Sequence, residues 1–174
     1  MPTVSAHSVV NASPEEVFSF LADYRNIPRL QPQFTSARLA GDVARGLGAV
    51  VELEGRFRGF PMKVQNRIIA FDPPSRLVSI GEGSVLSRST WEVQPLEGNP
   101  ATSRVSLTVD YKLRDTLGGL FMGMGSALWP IFNREIQGMT TDSLRRLQSF
   151  FADRAKPVPR PERGDNEAGA GHEE

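Results

Sequence analysis

Apolar residues recur with two different periods along this chain, and the switch between them sets the order of its elements. From Phe34 to Leu113 the period is two. Val51, Leu53, Gly55 and Phe57 alternate with Val50, Glu52, Glu54 and Arg56, so one face turns to a core and the other to water. The same alternation returns in Val105, Leu107, Val109, Tyr111 and Leu113 against Arg104, Ser106, Thr108, Asp110 and Lys112. Between these rows lie strands predicted over Pro61 to Phe71, Ser75 to Ile80 and Ser84 to Gln94. Turns are expected at Asp72-Pro73-Pro74, Gly81-Glu82-Gly83 and Gly98-Asn99-Pro100. Consecutive strands with short turns form an antiparallel meander.

After Asp115 the period becomes 3.6. Leu128, Phe132, Ile136, Met139, Ser143, Leu147 and Phe150 follow steps of three and four, with Ile131, Thr140, Leu144 and Phe151 widening the stripe. A helix of about 25 residues spans close to 40 Å, long enough to cross a curved sheet. At the other end, Thr3 to Val10 reads as a strand, and Ser13-Pro14-Glu15-Glu16 is a helix start. Ser13 is the N-cap, Pro14 occupies the first turn, and Glu16 closes a capping box. Two prolines in Asp23 to Pro32 end this helix early and leave a second short helical turn or a loop. Strand, short helices, antiparallel strands and a long closing helix make an α+β order.

Composition narrows the function classes. Twenty basic side chains balance 20 acidic ones, so no basic stripe marks a nucleic-acid partner. The chain has no cysteine, which removes disulfide frameworks, zinc knuckles and thiol nucleophiles. No secretory signal is visible near the N-terminus, and cytoplasmic location is the expectation. Lys156 to Glu174 is rich in proline and charge with Val158 as its one aliphatic residue beyond alanine, and is read as a disordered polar tail. The folded domain is therefore placed at residues 1 to about 155.

The string Val10-Asn11-Ala12-Ser13-Pro14-Glu15-Glu16-Val17-Phe18, then Asp23-Tyr24-Arg25-Asn26-Ile27-Pro28 and Gln31-Pro32, resembles the opening of the START-like, or birch-allergen-like (SRPBCC), superfamily that includes polyketide cyclases and dehydratases. Gly46-Leu47-Gly48 before a strand, the turn Phe71-Asp72-Pro73-Pro74-Ser75-Arg76-Leu77 and the terminal amphipathic helix are also similar to that superfamily. The resemblance implies a helix-grip fold: a seven-stranded antiparallel sheet wrapped around a long C-terminal helix, with two short helices after the first strand and a cavity for an apolar small molecule.

The residues themselves mark where such a cavity would lie. Ser87 and Ser89 interrupt the face that carries Val85, Trp91 and Val93, and Asn66 breaks the row of Met62, Val64 and Ile68. Unpaired buried polar groups cost about 1–3 kcal/mol each, so these three require partners, water or a ligand. Pairing with backbone or with one another is the alternative. Tyr111, near the end of the row that holds Leu107 and Val109, packs at an edge or anchors a ligand through its hydroxyl. From the closing helix, Phe132 and Ile136 are core residues or cavity wall. The uncharged stretch Thr116 to Asn133, which contains Phe121 and Leu128, reads as a lid, as a packed glycine-rich turn, or as a contact for a partner or a bilayer surface. Its glycines and proline make it too weakly apolar for a membrane span. Candidate ligand-binding residues are accordingly Met62, Val64, Asn66, Ser87, Ser89, Trp91, Leu107, Val109, Tyr111, Phe121, Leu128, Phe132 and Ile136.

Catalytic groupings are sparse. His172 lies in the tail, and His7 shares the polar side of its strand with Thr3 and Ser5. Glu52 and Glu54 point outward beside Arg56. Neither metal-ligand spacing nor a GxSxG, P-loop or GxGxxG motif is present, and no cofactor is expected. The resemblance implies two readings: a carrier, chaperone or sensor for a lipid, quinone or polyketide-like molecule, or a cyclase or dehydratase that moves protons with residues such as Ser87, Ser89, Tyr111 or Arg67. An accessory protein acting through protein or membrane contacts is a third. Oligomeric state is not legible.

Overall fold

The computed structural model describes residues 2–57, 59–83, 85–113 and 125–154. Strand β1 (Thr3–Val10) leads into helix α1 (Pro14–Leu21), a 3-10 turn (Tyr24–Asn26) and the short helix α2 (Ile27–Leu30). Six further strands are β2 (Phe34–Leu39), β3 (Val50–Phe57), β4 (Phe60–Asp72), β5 (Arg76–Gly83), β6 (Val85–Leu96) and β7 (Asn99–Leu113). Helix α3 (Gly125–Arg154) closes the chain. The strands form one antiparallel sheet in the order β1-β7-β6-β5-β4-β3-β2, with β1 and β2 at its two edges.

Local chemistry explains the starts and stops. Ser13 caps α1, its hydroxyl accepting from Glu16 N at 3.4 Å while Ser13 N donates to the Glu16 carboxylate at 3.1 Å. Both halves of the predicted capping box are therefore present. One turn reading is corrected. Gly81-Glu82-Gly83 belongs to β5, with Gly81 opposite Asn66 and Ser87, and Gly83 opposite Val64. These glycines serve close approach: a Cβ on Gly83 would lie 2.6 Å from the carbonyl oxygen of Lys63.

Helix α3 lies along the free edge of β1. Gln137 and Gln148 donate side-chain N–H groups to Ser5 O at 3.1 Å and Val9 O at 3.0 Å. The edge strand is thus covered, and these two carbonyls are satisfied. The core divides in two. The larger cluster joins Val10, Val17, Phe18, Trp91, Val105 and Leu107 to Leu144, Leu147 and Phe151 of α3. The smaller one holds Phe34, Val51 and Leu53, with Tyr24, Ile27, Met62 and Val64 against it. Residues 114–124 and the tail from 155 onward lie outside the described residues, as do the readings made of the tail and of most of the 116–133 stretch.

Candidate functional site

A cavity of about 780 Å³ occupies the space between the two clusters. Its floor is the inner face of β3 to β7, and its roof is the half of α3 around Ile131, Phe132, Ile136 and Met139. Its side wall comes from α1, the 3-10 turn, α2 and the start of β2. Eleven of the expected residues line it: Met62, Val64 and Asn66 on β4; Ser87, Ser89 and Trp91 on β6; Leu107, Val109 and Tyr111 on β7; Phe132 and Ile136 on α3. Phe121 and the side chain of Leu128 fall outside the described residues.

Strand register arranges the polar members of the floor into two adjacent rows. Asn66, Gly81, Ser87 and Tyr111 are successive cross-strand neighbours on β4, β5, β6 and β7, and Ile68, Ser79, Ser89 and Val109 form the next row. The side chains of Asn66, Ser79, Ser87 and Ser89 make no hydrogen bond to any described residue. The roof differs: the hydroxyls of Thr140 and Ser143 donate to Ile136 O and Met139 O, both at 2.8 Å. Unused hydrogen-bonding capacity is thereby concentrated on the sheet side.

Tyr111 is closed off from solvent and donates its phenolic O–H to the Asn133 amide oxygen at 2.6 Å. Burial pushes its pKa above the ordinary phenol value of 10.0. Beside it, Phe132 packs against Tyr111 at 5.6 Å and against Phe57 at 5.8 Å between ring centroids, filling one end of the cavity. Near that end Phe60 is 75% exposed and Ile131 48% exposed, so the rim is apolar. Across the cavity, Asp23 accepts from Arg25 N at 3.0 Å and from its guanidinium Nε and Nη2 at 2.8 and 2.6 Å. These bonds hold the Asp23 carboxyl below the usual carboxylate range despite its partial burial. Asp23, Tyr24 and Tyr111 are the titratable side chains among the described lining residues.

Several wall residues were not anticipated. Tyr24, Ile27 and Leu30 come from the proline-broken segment, whose helical turns have no period long enough to reveal a face, and Phe20 and Phe34 come from the end of α1 and the start of β2 on either side of it. Ser79 was detectable, because Leu77, Ser79 and Gly81 alternate with Val78 and Ile80 in the strand beside the predicted serines. One reading is overturned. Arg67 is exposed on the outer face of β4, since its neighbour Asn66 takes the inner one, and it cannot move protons in the cavity. His7 is exposed, and Glu52 and Glu54 lie outside the cavity, Glu54 pairing with Lys63 at 2.8 Å. Among the described residues no cluster of metal-binding side chains occurs, and no helix is long and apolar enough to cross a membrane.

A seven-stranded antiparallel sheet gripping a C-terminal helix around an internal cavity defines the START/SRPBCC class of domains, and this chain is one of them. Its sequence matches the family described as polyketide cyclase/dehydrase and lipid transport over residues 1–149, and the chain belongs to that family. No curated protein matches it significantly. Among solved structures, a START-superfamily protein from Mycobacterium smegmatis is similar at a TM-score of 0.70 with 12% identity, over 87% of this chain and 97% of that one. The aromatase/cyclase Zhui from Streptomyces sp. R1128 is similar at 0.69 with 20% identity, over 89% and 96%. The di-domain protein BexL of the BE-7585A biosynthetic pathway, described as an aromatase/cyclase, is similar at 0.65 with 20% identity, over 88% of this chain and 47% of that one.

Proposed function

We propose that this protein binds an apolar small molecule, a lipid, quinone or polyketide-like compound, in the cavity between sheet and α3 and acts as a carrier or sensor for it. The observation that carries this reading is the cavity of about 780 Å³, whose walls are mainly apolar with unpartnered polar groups gathered on one side. That size lies within the range of about 300–1,000 Å³ for small-molecule sites, and a few placed polar groups are what such sites use to orient a ligand. Its position fits the family, whose description includes lipid transport.

Binding is favoured over catalysis by the titratable groups at hand. A proton-transferring residue works best with a pKa near the operating pH. Here Asp23 is ionised and held by Arg25, and Tyr111 is a phenol whose pKa is raised and whose proton is engaged by Asn133. A cyclase role is the second reading. It draws on the hydroxyls of Ser79, Ser87 and Ser89, which offer a surface for holding several carbonyls of a folded chain, and on the likeness to Zhui and BexL.

Titration with Nile red, a neutral solvatochromic dye, tests the binding reading. One-to-one binding with a blue-shifted emission is expected, together with its loss in Ile136→Trp, which fills the cavity from the roof. Absence of binding, or binding that survives Ile136→Trp in a protein that remains folded, overturns it.

A further inference from the structure

The floor of the cavity contains a notch. Gly81 sits between Asn66 and Ser87 in the cross-strand row, and a Cβ at Gly81 would lie 2.6 Å from Ser87 Oγ and 3.9 Å from Asn66 Oδ1. The missing side chain lets the Ser87 hydroxyl lean over Gly81, with Val64 Cγ1 3.2 Å from the same point, and the hydroxyl and the Asn66 carboxamide line the cavity on either side of the glycine. A ligand oxygen that settles on this row meets the Ser87 hydroxyl and has the Asn66 carboxamide beside it. Ser87 offers an O–H to a carbonyl and also accepts from a hydroxyl, while Asn66 presents its amide oxygen to a hydroxyl and, with the carboxamide turned over, its N–H₂ group to a carbonyl. Neither side chain is engaged by any described residue.

The charge of the walls restricts what that oxygen belongs to. No Lys, Arg or His is among the described lining residues, and the one lining carboxylate, Asp23, already has its cation in Arg25. An anionic group on the buried part of a ligand would find no counter-ion among the described lining residues, and burying an uncompensated charge is strongly unfavourable.

We infer that the notch over Gly81, between Ser87 and Asn66, is a subsite for an uncharged carbonyl or hydroxyl oxygen of the ligand, and that the cavity discriminates against ligands carrying a buried carboxylate. The inference rests on the binding reading above and adds the class of ligand. Ser79 and Ser89, in the next row of the sheet, extend the polar strip, so a flat ligand with oxygens along one edge fits this floor. A hydrocarbon of the same shape fills the volume but displaces water from Ser87 and Asn66 without replacing its hydrogen bonds.

Three ligands of one shape separate these statements: anthracene, 9,10-anthraquinone and anthraquinone-2-carboxylate, each measured by equilibrium dialysis against the full chain. Anthraquinone is expected to bind about tenfold tighter than anthracene, the worth of one or two net hydrogen bonds. The carboxylate is expected to bind at least tenfold more weakly than anthraquinone. Ser87→Ala and, separately, Gly81→Ala should remove most of the preference for anthraquinone, read as the ratio of anthraquinone to anthracene affinity within each variant. Ser87→Ala deletes only one hydroxyl, so a folding defect in Gly81→Ala leaves the comparison intact. If all three ligands fail to bind, the binding reading falls and this inference with it. If anthracene binds as well as anthraquinone, or the variants keep the preference, the binding reading stands and the notch is overturned. Equal binding of the carboxylate overturns the charge discrimination alone.

Discussion

Tyr111 on β7 donates its hydroxyl to Asn133 on α3 at 2.6 Å, so the last strand of the sheet is tied by a short hydrogen bond to the helix that roofs the cavity. The bond joins the two elements beside the ring of Phe132, where sheet and helix are otherwise held apart by the open volume. It fixes the height of the roof at that end.

Tyr111→Phe keeps the ring and removes the hydroxyl. A loss of about 1–2 kcal/mol in urea unfolding is expected, because the Asn133 amide oxygen is left without this donor. The raised pKa gives a second signature. The folded protein holds the phenolic proton more tightly than the unfolded chain, so this contribution is complete below about pH 10 and declines as pH rises above it. Tyr111→Phe should flatten the alkaline arm of the stability profile; an unchanged arm would assign that loss to other groups.

Asp23 and Arg25 make the opposite case. Asp23 has a lowered pKa in the folded protein, so its contribution is present above the unfolded carboxylate value of about 4 and is lost as pH falls through the folded value. Replacing Arg25 with Ala removes the main cause of the depression. The variant should therefore be less stable than the parent in urea unfolding at neutral pH, and the difference should shrink as the pH is lowered through the carboxylate range.

Gly55 on β3 has no space for a side chain. A Cβ there would meet Gln33 O at 1.9 Å and Phe34 Cα at 2.7 Å, both backbone atoms that cannot rotate away. This is the irregular start of the β2–β3 pairing, where Arg56 N donates to Gln33 O and the register shifts between Phe34 and Ser36. Gly55→Ala should cost about 2 kcal/mol or more in denaturant unfolding and displace Phe34 from the cavity wall. A change under about 0.5 kcal/mol would mean that β2 moves freely at this point.

Ser13→Ala tests the helix start in isolation from the cavity. Loss of the N-cap acceptor for Glu16 N should destabilise the protein by about 1 kcal/mol. Ser13→Asp retains an acceptor beside the positive end of the helix and should recover most of that loss in the same denaturant titration.

Much of this architecture was legible in the sequence. The capping box at Ser13, the alternation in β3, β6 and β7 and the stripe on α3 are each decided by residues a few positions apart, so local pattern carried them. Ser87, Ser89, Asn66 and Tyr111 were assigned to the inner face for that reason. The Gly81-Glu82-Gly83 turn went wrong because glycine serves both tight turns and close packing, and only the neighbours Lys63, Val64 and Ser87 show which applies.

What the chain determined by itself is the face each residue presents, since side chains alternate along a strand without reference to any other strand. Which residues become neighbours across the sheet was decided by the tertiary structure. The irregular register between Ile68 and Ala70 and the lengths of the hairpins bring Asn66, Gly81, Ser87 and Tyr111 into one row. Register is a property of pairs of strands, and moving one strand by two residues would keep every side chain on its face while dispersing that row.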